Sequence, residues 1–300
     1  MNPLISVVIT THYRNELLTE AIESVLAQEY EPVELIVVDD SGEGHAEPVL
    51  DGYDEVIGVV KAENEGCSPA RTAGVELATG EYVHFLDDDD RFLEGKLSKT
   101  AAVLMENPDV GVAYTGVKQD TGWYKYPDPE MAGDVLTQAL RFETFPCYTC
   151  SMLVRRDLLT DVLPLPQLTA ANDSYYMIEL ARRTRFDYVD ELLVLNRREE
   201  SETWVGTKRI DGMKELLVTE SELYDRFPEI RREVLSDVYY MEGHTRLKHD
   251  FWTLKAPACF ARSAYYGRGE RVKHVGAFIA SFGGWPGFRS AAKARGFFER

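Results

Sequence analysis

The chain has 300 residues, of which 44% are hydrophobic, so it can bury a sizeable core and is not expected to be disordered. Its 51 Asp+Glu against 33 Lys+Arg give a formal net charge of -18. This balance argues against a strongly basic surface, and nucleic acid is not an expected partner.

The basic residues are unevenly divided, with 22 Arg against 11 Lys. Abundant acid with scarce lysine is typical of proteins from salt-loving archaea, where molar salt shortens the Debye length to roughly 3 Å and screens self-repulsion. In such a halophilic protein an acidic run is ordinarily a solvated surface. Each acidic run must therefore be judged by its place in the fold.

Strand and helix patterns alternate through the first 90 residues. Continuous β-branched runs predict buried strands, and apolar residues at helical spacing predict helices. The predicted strands are 4–11, 33–40, 54–60 and 80–86, and the predicted helices are 15–28 and 68–78. Ser68 is the expected N-cap of the second helix, with Pro69 at its first position. This alternation favours a Rossmann-like, mostly parallel, doubly wound α/β sheet.

Two acidic groups follow predicted strands, Asp39-Asp40 and the run Asp87 to Asp90. In doubly wound sheets, ligands bind beyond the carboxyl ends of the strands. Solvated surface acid has no reason to collect there, so these positions predict a ligand site. The sequence contains neither a GxGxxG fingerprint after the first strand nor a GxxxxGK[ST] loop, so a nucleotide would be held in another way.

The second half of the chain is less regular. We predict a helix at 96–106, a strand at 110–118, a loop over a substrate at 119–145, a strand-to-helix turn at 148–159, a helix at 172–183 and a strand pair or edge at 185–198. From Gly206 the pattern is helical, with breaks expected at Gly243, Gly267 and Gly276. The predicted domains are 1–205 and a helical C-terminal region, 206–300.

The cysteines and the termini add little. Cys147 and Cys150 have CxxC spacing, but no second pair or nearby histidine completes a zinc site, so packing is favoured over a metal or redox role. No signal peptide and no membrane-spanning window are evident, and the expected location is the cytoplasm.

Four segments, in a fixed order, resemble family 2 glycosyltransferases with the GT-A fold: "SVVITTHYRNELLTEAIESVLAQ", "ELIVVDDSGEG", "NEGCSPARTAGVELATGEYVHFLDDDD" and "NDSYYMIELARR". The resemblance covers roughly residues 4–200 and implies a GT-A domain followed by a helical appendage. There are departures. His12 stands where the family has Tyr, Thr72 where it has Asn, Asn172 where it has Glu, and no Arg-x-His follows the late strand.

The resemblance implies roles for particular residues. Asp173 is the expected catalytic base, while Asp89 and Asp87 are the expected ligands of Mn²⁺ or Mg²⁺, which prefer oxygen. Asp40 is the expected nucleoside contact, with Asp39 shaping the turn. The implied nucleotide-sugar-binding residues are Thr11, His12, Arg14, Asp39, Asp40, Arg71, Asp87, Asp88 and Arg198, the last with Arg197 as its alternative.

Each assignment has a plainer alternative. Asp39, Asp40 and Asp173 are also ordinary helix or turn caps, and His12 a packing histidine. Arg14 and Arg71 are alternatively solvated helix arginines, and Arg198 the partner of a neighbouring glutamate. Asp88 fills a variable position of the motif, and its alternative is a surface acid that reflects only salt adaptation.

The last sixty residues differ in charge from the rest. Residues 241–300 contain 11 Lys+Arg and 4 Asp+Glu, with phenylalanines and Trp285 interleaved. This pattern fits peripheral contact with anionic lipid on the cytoplasmic membrane face, and it fits equally a helical appendage that packs its aromatic side chains on the catalytic domain.

The implied function is an inverting, metal-dependent hexosyltransferase. It would move a sugar from a UDP- or GDP-sugar to a hydroxyl or a lipid-phosphate-linked glycan acceptor, in protein N-glycosylation or surface polysaccharide assembly. The alternatives are a sugar nucleotidyltransferase and a non-catalytic nucleotide-sugar binder.

Overall fold

A mixed β-sheet with helices packed on it forms the N-terminal part of the computed structural model, which describes residues 1–164, 168–197, 207–267 and 271–294. Within these ranges the sheet has nine strands. The strands are β1 (Ile5–Thr11), β2 (Val33–Asp39), β3 (Val56–Val60), β4 (Tyr82–Asp87), β5 (Asp90–Phe92), β6 (Val110–Gln119), β7 (Tyr124–Lys125), β8 (Met152–Arg155) and β9 (Arg185–Asn196).

Thirteen helices lie within the described ranges. Those of the first 200 residues are α1 (Asn15–Leu26), α2 (Glu47–Leu50), α3 (Cys67–Leu77), α4 (Lys96–Glu106), α5 (Leu136–Leu140), α6 (Arg156–Thr160) and α7 (Asn172–Ala181). The later ones are α8 (Thr207–Thr219), α9 (Ser221–Arg226), α10 (Pro228–Asp250), α11 (Lys255–Tyr266), α12 (Arg271–Ser281) and α13 (Gly284–Ala294). Short 3₁₀ turns occur at Pro129–Met131 and Thr149–Ser151.

The strand order is β3-β2-β1-β4-β8-β6-β9-β5, with β7 paired to β6. The first four strands are mutually parallel, as the alternation of strands and helices predicted. Further along, β8 runs antiparallel to both β4 and β6, and β5 runs antiparallel to β9. The core side chains of β1, β2 and β4 are almost fully buried, which explains their unbroken apolar sequences.

Helix α3 lies very close to the central strand β1. A Cβ atom added at Gly74 would come within 2.2 Å of Val8 Cγ1. Only glycine permits this approach, so the position of α3 against the sheet is fixed by shape.

Several sequence predictions need correction in this part. Helix α3 begins at Cys67 with Gly66 at the N-cap, so Ser68 does not cap it; Gly66 has a φ of +92°, which suits glycine. The predicted loop 119–145 contains β7, a 3₁₀ turn and α5. The segment 185–198, predicted to be a strand pair or an edge, contains one long strand, β9, which lies between β6 and β5.

The chain divides into two compact units. The first comprises Met1–Gln167 and Asn172–Glu200, and the second comprises Leu168–Ala171 and Ser201–Arg300. In the described part of the second unit every regular element is a helix, and Phe260 and Phe288 stack at the centre of a small core.

Two of the three predicted helix breaks in the second unit are wrong. Gly243 lies inside α10, where a Cβ would come within 2.9 Å of the Phe260 ring, so this glycine permits helix packing. Gly276 lies inside α12, whereas Gly267 does end α11. None of the described helices combines the length and the apolar composition that a membrane span requires.

Candidate functional site

The candidate site lies at the carboxyl ends of three neighbouring strands. In the sheet register Thr11 pairs with Asp39 across β1 and β2, and Thr10 pairs with Asp87 across β1 and β4. The two acidic groups of the sequence are therefore brought to one edge, where doubly wound sheets bind their ligands.

A cavity of about 440 Å³ opens at this edge. It is lined by eight of the residues that the sequence analysis selected: Thr11, His12, Arg14, Asp40, Arg71, Asp87, Asp88 and Asp89. Five further lining residues were missed: Thr10, Asn64, Gly66, Cys67 and Ala70. All five lie inside the quoted segments, but their side chains are uncharged, so residue type alone did not point to binding.

Asp39 and Asp40 hold the surrounding loops through backbone hydrogen bonds. Buried Asp39 accepts bonds from the amides of Ser41 (2.9 Å) and Ala46 (2.8 Å), and so shapes the turn after β2. Asp40 accepts bonds from the amides of Glu65 (3.1 Å) and Gly66 (2.7 Å), which tie the start of α3 to the cavity floor. Asp40 lines the cavity, whereas Asp39 is outside its described lining.

His12 belongs to a small polar and aromatic group at the cavity wall. Its Nε2 atom lies 2.8 Å from the side-chain nitrogen of Asn64, and its ring meets Tyr13 edge-on at 4.6 Å between centroids. Tyr13 in turn lies 4.8 Å from the ring of His45. Neither Tyr13 nor His45 is a predicted site residue, although Tyr13 lies inside the first quoted segment and His45 directly follows the second.

Asp88 is not a surface acid, which corrects that alternative. It is buried, and one carboxylate oxygen accepts a 2.8 Å bond from the Thr11 hydroxyl. Arg14 donates to its other oxygen at 3.2 Å. Burial nevertheless raises the pKa of Asp88. Asp88 therefore joins the carboxyl ends of β1 and β4 and positions Arg14.

Asp89 and Asp90 are the two acids at the site whose pKa values are raised most clearly. Burial, followed by the charges of Asp87 and Asp88, raises the pKa of Asp89 to about 6, although Arg14 donates to it at 3.0 Å. Burial and the charge of Asp87 raise the pKa of Asp90 to about 8. A cation among these carboxylates would relieve that repulsion.

Asp90 is the least expected member of the run. It lies in β5, a three-residue strand paired with β9, and its Oδ1 atom accepts bonds from the Asn196 side chain (2.8 Å) and the Arg197 amide (3.2 Å). Its other oxygen is buried and has no hydrogen-bond partner among the described residues. One potential ligand atom from each of Asp87, Asp90 and Cys150 lies within 4.8 Å of the other two.

The donor set suits a hard divalent cation. Carboxylates dominate the group, and oxygen is the preferred ligand of Mg²⁺, with Mn²⁺ accepting the same set. Burial raises the pKa of the Cys150 thiol well above its ordinary value, and sulfur is a softer ligand than the oxygen that these cations prefer. Of that group, Asp87 and Asp90 are therefore the carboxylates that could hold such an ion, and Asp89, which lines the same cavity as Asp87, is a further carboxylate at this edge.

Arg71 connects the acidic run to Asp173. Its side chain is only 6% exposed, and it donates to Asp87 at 2.7 Å and to Asp173 at 2.9 Å. Asp173 lies in the first turn of α7 and also accepts a 3.5 Å bond from the Thr149 hydroxyl. The solvated-arginine alternative is therefore wrong for Arg71, which is a buried bridge between two acids.

Arg198 lies outside the described residues. Its neighbour Arg197 donates from its side chain to Glu20 at 2.7 Å, in addition to the backbone bond with Asp90.

Comparison with known proteins gives one family. The family described as Glycosyl transferase family 2 matches residues 6–163. Over 110 residues the chain is 39% identical to the glucosyl-dolichyl phosphate glucuronosyltransferase of Haloferax volcanii, a match that covers 35% of each chain. This relative and two further curated glycosyltransferases, from Rickettsia species, are matched over only 32% to 66% of their own length.

Solved structures share the architecture. Staphylococcus aureus TarS 1–349 in complex with UDP-GlcNAc superposes with a TM-score of 0.66 at 16% identity, over 99% of this chain and 93% of that chain. A mannosyltransferase from Pyrobaculum calidifontis, in complex with GDP-Man and Mn²⁺, superposes with a TM-score of 0.59 at 17% identity, over 100% of this chain and 88% of that chain. At these identities the likeness establishes the fold, a GT-A fold with C-terminal helices.

Proposed function

The chain belongs to Glycosyl transferase family 2, and on that premise we propose that it is an inverting, metal-dependent transferase. It moves a sugar from a UDP- or GDP-sugar to a hydroxyl group or a lipid-phosphate-linked glycan. The observation that carries this proposal is the Arg71 bridge, which joins the acidic run that lines the cavity to the acid that opens α7.

The cavity suits a nucleoside diphosphate sugar. Arg14 and Arg71 bring two guanidinium groups to its lining, and guanidinium pairs well with phosphate oxygens. Asp40 and His12 offer an acceptor and a ring to the nucleoside. Two solved structures with this fold bind UDP-GlcNAc and GDP-Man, which supports a donor of this class.

The carboxylates Asp87 and Asp89 would hold Mn²⁺ or Mg²⁺, with buried Asp90 as a third acid in the same run. The ion, when bound, supplies charge neutralisation for the diphosphate leaving group. Burial, and after it the charges of Asp87 and Asp88, raise the pKa of Asp89 to about 6, and a bound cation would offset the part that comes from those charges.

Asp173 is the proposed base. Its side chain is 50% exposed, so an acceptor hydroxyl can approach it while Arg71 fixes one of its oxygens. The carboxylate takes the hydroxyl proton as the hydroxyl oxygen bonds to the anomeric carbon, and the bond from that carbon to the diphosphate breaks. A single displacement of this kind inverts the anomeric configuration.

A donor screen tests the proposal. Thermal shift with UDP-, GDP- and dTDP-sugars, with and without Mn²⁺ in molar salt, should identify a donor that stabilises the protein with the ion present. Asp173→Asn should retain this shift and lose transfer, while the matched variant Asp190→Asn, at an exposed position of β9, should behave as the parent.

Each contrary outcome has a specific meaning. Normal turnover by Asp173→Asn would show that Asp173 is not the catalytic base. Pyrophosphate release from a nucleoside triphosphate would favour a nucleotidyltransferase. Donor binding without hydrolysis or transfer would favour a non-catalytic binder.

We also propose that the helical unit contacts an anionic membrane surface peripherally. An apolar stripe runs along helix α12 through Val272, Val275 and Ile279 and continues to Phe282, just after the helix; Val272 is 75% and Ile279 is 65% exposed. The stripe ends beside exposed Trp252, whose indole nitrogen donates to the Phe282 carbonyl at 3.2 Å. A continuous exposed apolar edge of this kind is unusual on a protein surrounded only by water.

Charge supports an anionic lipid as the surface contacted, since residues 241–300 are strongly basic within an acidic chain. Flotation with vesicles of phosphatidylglycerol and phosphatidylcholine should recover the protein. The double variant Val272→Ser/Ile279→Ser should stay with the unbound fraction, whereas Tyr265→Ser, at another exposed position, should float. If both variants floated with the vesicles to the same extent, the membrane proposal would be wrong. The transferase proposal would be unaffected, because flotation does not measure sugar transfer.

A further inference from the structure

Three aromatic side chains form a row on the first unit. Trp123 lies 5.6 Å from Phe145 between ring centroids, and Phe145 stacks on Tyr148 at 5.6 Å with an interplanar angle of 23°. We call Trp123, Phe145 and Tyr148 the aromatic row. Among the described residues that line the cavity, none belongs to this row.

The outer two rings of the row are not core residues. Trp123 is 45% and Phe145 is 43% exposed, and the neighbouring Tyr124 and Tyr126 are exposed as well. Trp123 lies in the turn that joins β6 and β7, where its carbonyl accepts a 2.7 Å bond from the Gln119 amide. The backbone of the turn is therefore ordered without the Trp123 side chain, whose ring is presented to solvent.

The inner end of the row reaches the candidate site. Tyr148 packs against the main core, and its hydroxyl lies beside the Cys150 thiol, close to Asp90 and Asp87. Cys150 is the residue whose sulfur lies within 4.8 Å of ligand atoms of Asp87 and Asp90. The aromatic row therefore starts at the acidic run and extends outward from it.

Polar side chains also link the turn that carries Trp123 to the acidic run. The Gln119 amide nitrogen lies 3.4 Å from Asn196 Oδ1, and the Asn196 amide donates to Asp90 at 2.8 Å. Amide groups beside aromatic faces are the combination that binds sugars, because the C–H face of a pyranose packs on the negative face of a ring while its hydroxyls bond to amides.

We propose that Trp123 and Phe145 form a platform for a sugar ring of a glycan acceptor, next to the acidic run. This inference rests on the proposed transferase function and names the acceptor class of the same site. The row reaches the acidic run through Tyr148 and Cys150, and Gln119 and Asn196 link the Trp123 turn to Asp90; this polar surrounding favours a carbohydrate over an apolar partner.

Binding of disaccharides tests the platform without requiring turnover. The probes are cellobiose, maltose and N,N′-diacetylchitobiose, observed by saturation-transfer NMR on the full chain with UDP and Mn²⁺ present. At least one disaccharide should bind at millimolar concentration. Trp123→Ala and Phe145→Ala should each weaken that binding about tenfold, which corresponds to about 1.4 kcal/mol.

Three controls separate recognition from folding. Trp123→Phe keeps a ring and should retain most of the binding. Tyr265→Ala removes an equally exposed ring from the second unit and should change nothing. Unchanged melting temperature and unchanged UDP affinity would show that the alanine variants are folded.

The outcomes are distinct from those of the donor screen. Unchanged disaccharide binding in both alanine variants, or no disaccharide binding by the parent, overturns the platform. A concentration-dependent dimer that Trp123→Ala abolishes also overturns it, since the row would then be a contact between copies. If disaccharide binding depended on the two rings but no sugar were transferred, the platform would be supported and the transferase proposal would be wrong.

Discussion

Replacement of Arg71 by lysine tests the bridge between Asp87 and Asp173. The guanidinium of Arg71 reaches both acids at once, through separate nitrogens at 2.7 and 2.9 Å. A lysine ammonium is a single point on a flexible stem, so Arg71→Lys keeps the charge and holds one acid at a time. The variant therefore removes one charge-assisted hydrogen bond without removing the cation.

The structure sets the size of the expected effect. A hydrogen bond to a charged group contributes about 1.5–3 kcal/mol. Asp87 is 35% and Asp173 is 50% exposed, so water replaces part of the lost interaction and the lower limit applies. About 1.4 kcal/mol is a factor of ten in rate, so Arg71→Lys should lower kcat about tenfold. Arg71→Met should lower it about a hundredfold.

The assay is steady-state transfer, or donor hydrolysis in the presence of Mn²⁺, with the donor that the thermal-shift screen identifies. Arg91→Lys is the matched control, because Arg91 forms a half-exposed ion pair with Glu20 at 3.0 Å. A kcat for Arg71→Lys within about twofold of the parent would refute the bridge as a positioning device.

Three further variants test the fold beneath the site. Burial lowers the pKa of Lys96 to about 7 from 10.5, so the unfolded state binds the additional proton between these values. The free energy of unfolding of the parent should therefore rise by about 1.4 kcal/mol per pH unit across that window, compared with that of Lys96→Met. If urea unfolding gave the two proteins the same dependence of this free energy on pH, the prediction would be wrong. Gly74→Ala should cost about 1–3 kcal/mol in urea unfolding, because its Cβ would overlap Val8. Thr11→Val should cost about 1–2 kcal/mol by the same measurement, because buried Asp88 loses a hydrogen-bond donor; an unchanged midpoint would contradict either estimate.

Much of the sheet could be predicted because β1, β2 and β4 are buried on both faces, and burial leaves an unbroken apolar sequence. The position of the acidic groups at one edge followed from the parallel order. Strand β5 could not be predicted, since its three residues begin with Asp90 and its pairing with β9 joins positions more than 100 residues apart.

The roles of individual acids were harder to predict than their location. The sequence does not distinguish Asp88, buried under Thr11 and Arg14, from an acid that salt adaptation would place on a surface. Glycine lowers helix propensity and so predicts a helix break at Gly243, but the close packing of Phe260 against this position outweighs that preference. In both cases a distant residue decides the outcome.

The close approach of α3 to β1 has a consequence for the energetics of substrate binding. Gly74 lies about one helical turn after Arg71, so the contact with Val8 holds the part of α3 that presents the guanidinium. A helix in contact at that distance has little room to translate or tilt. Apolar packing between α3 and β1 therefore holds the Arg71 guanidinium in place before a substrate binds. Little reorganisation energy should be required when a charged substrate arrives.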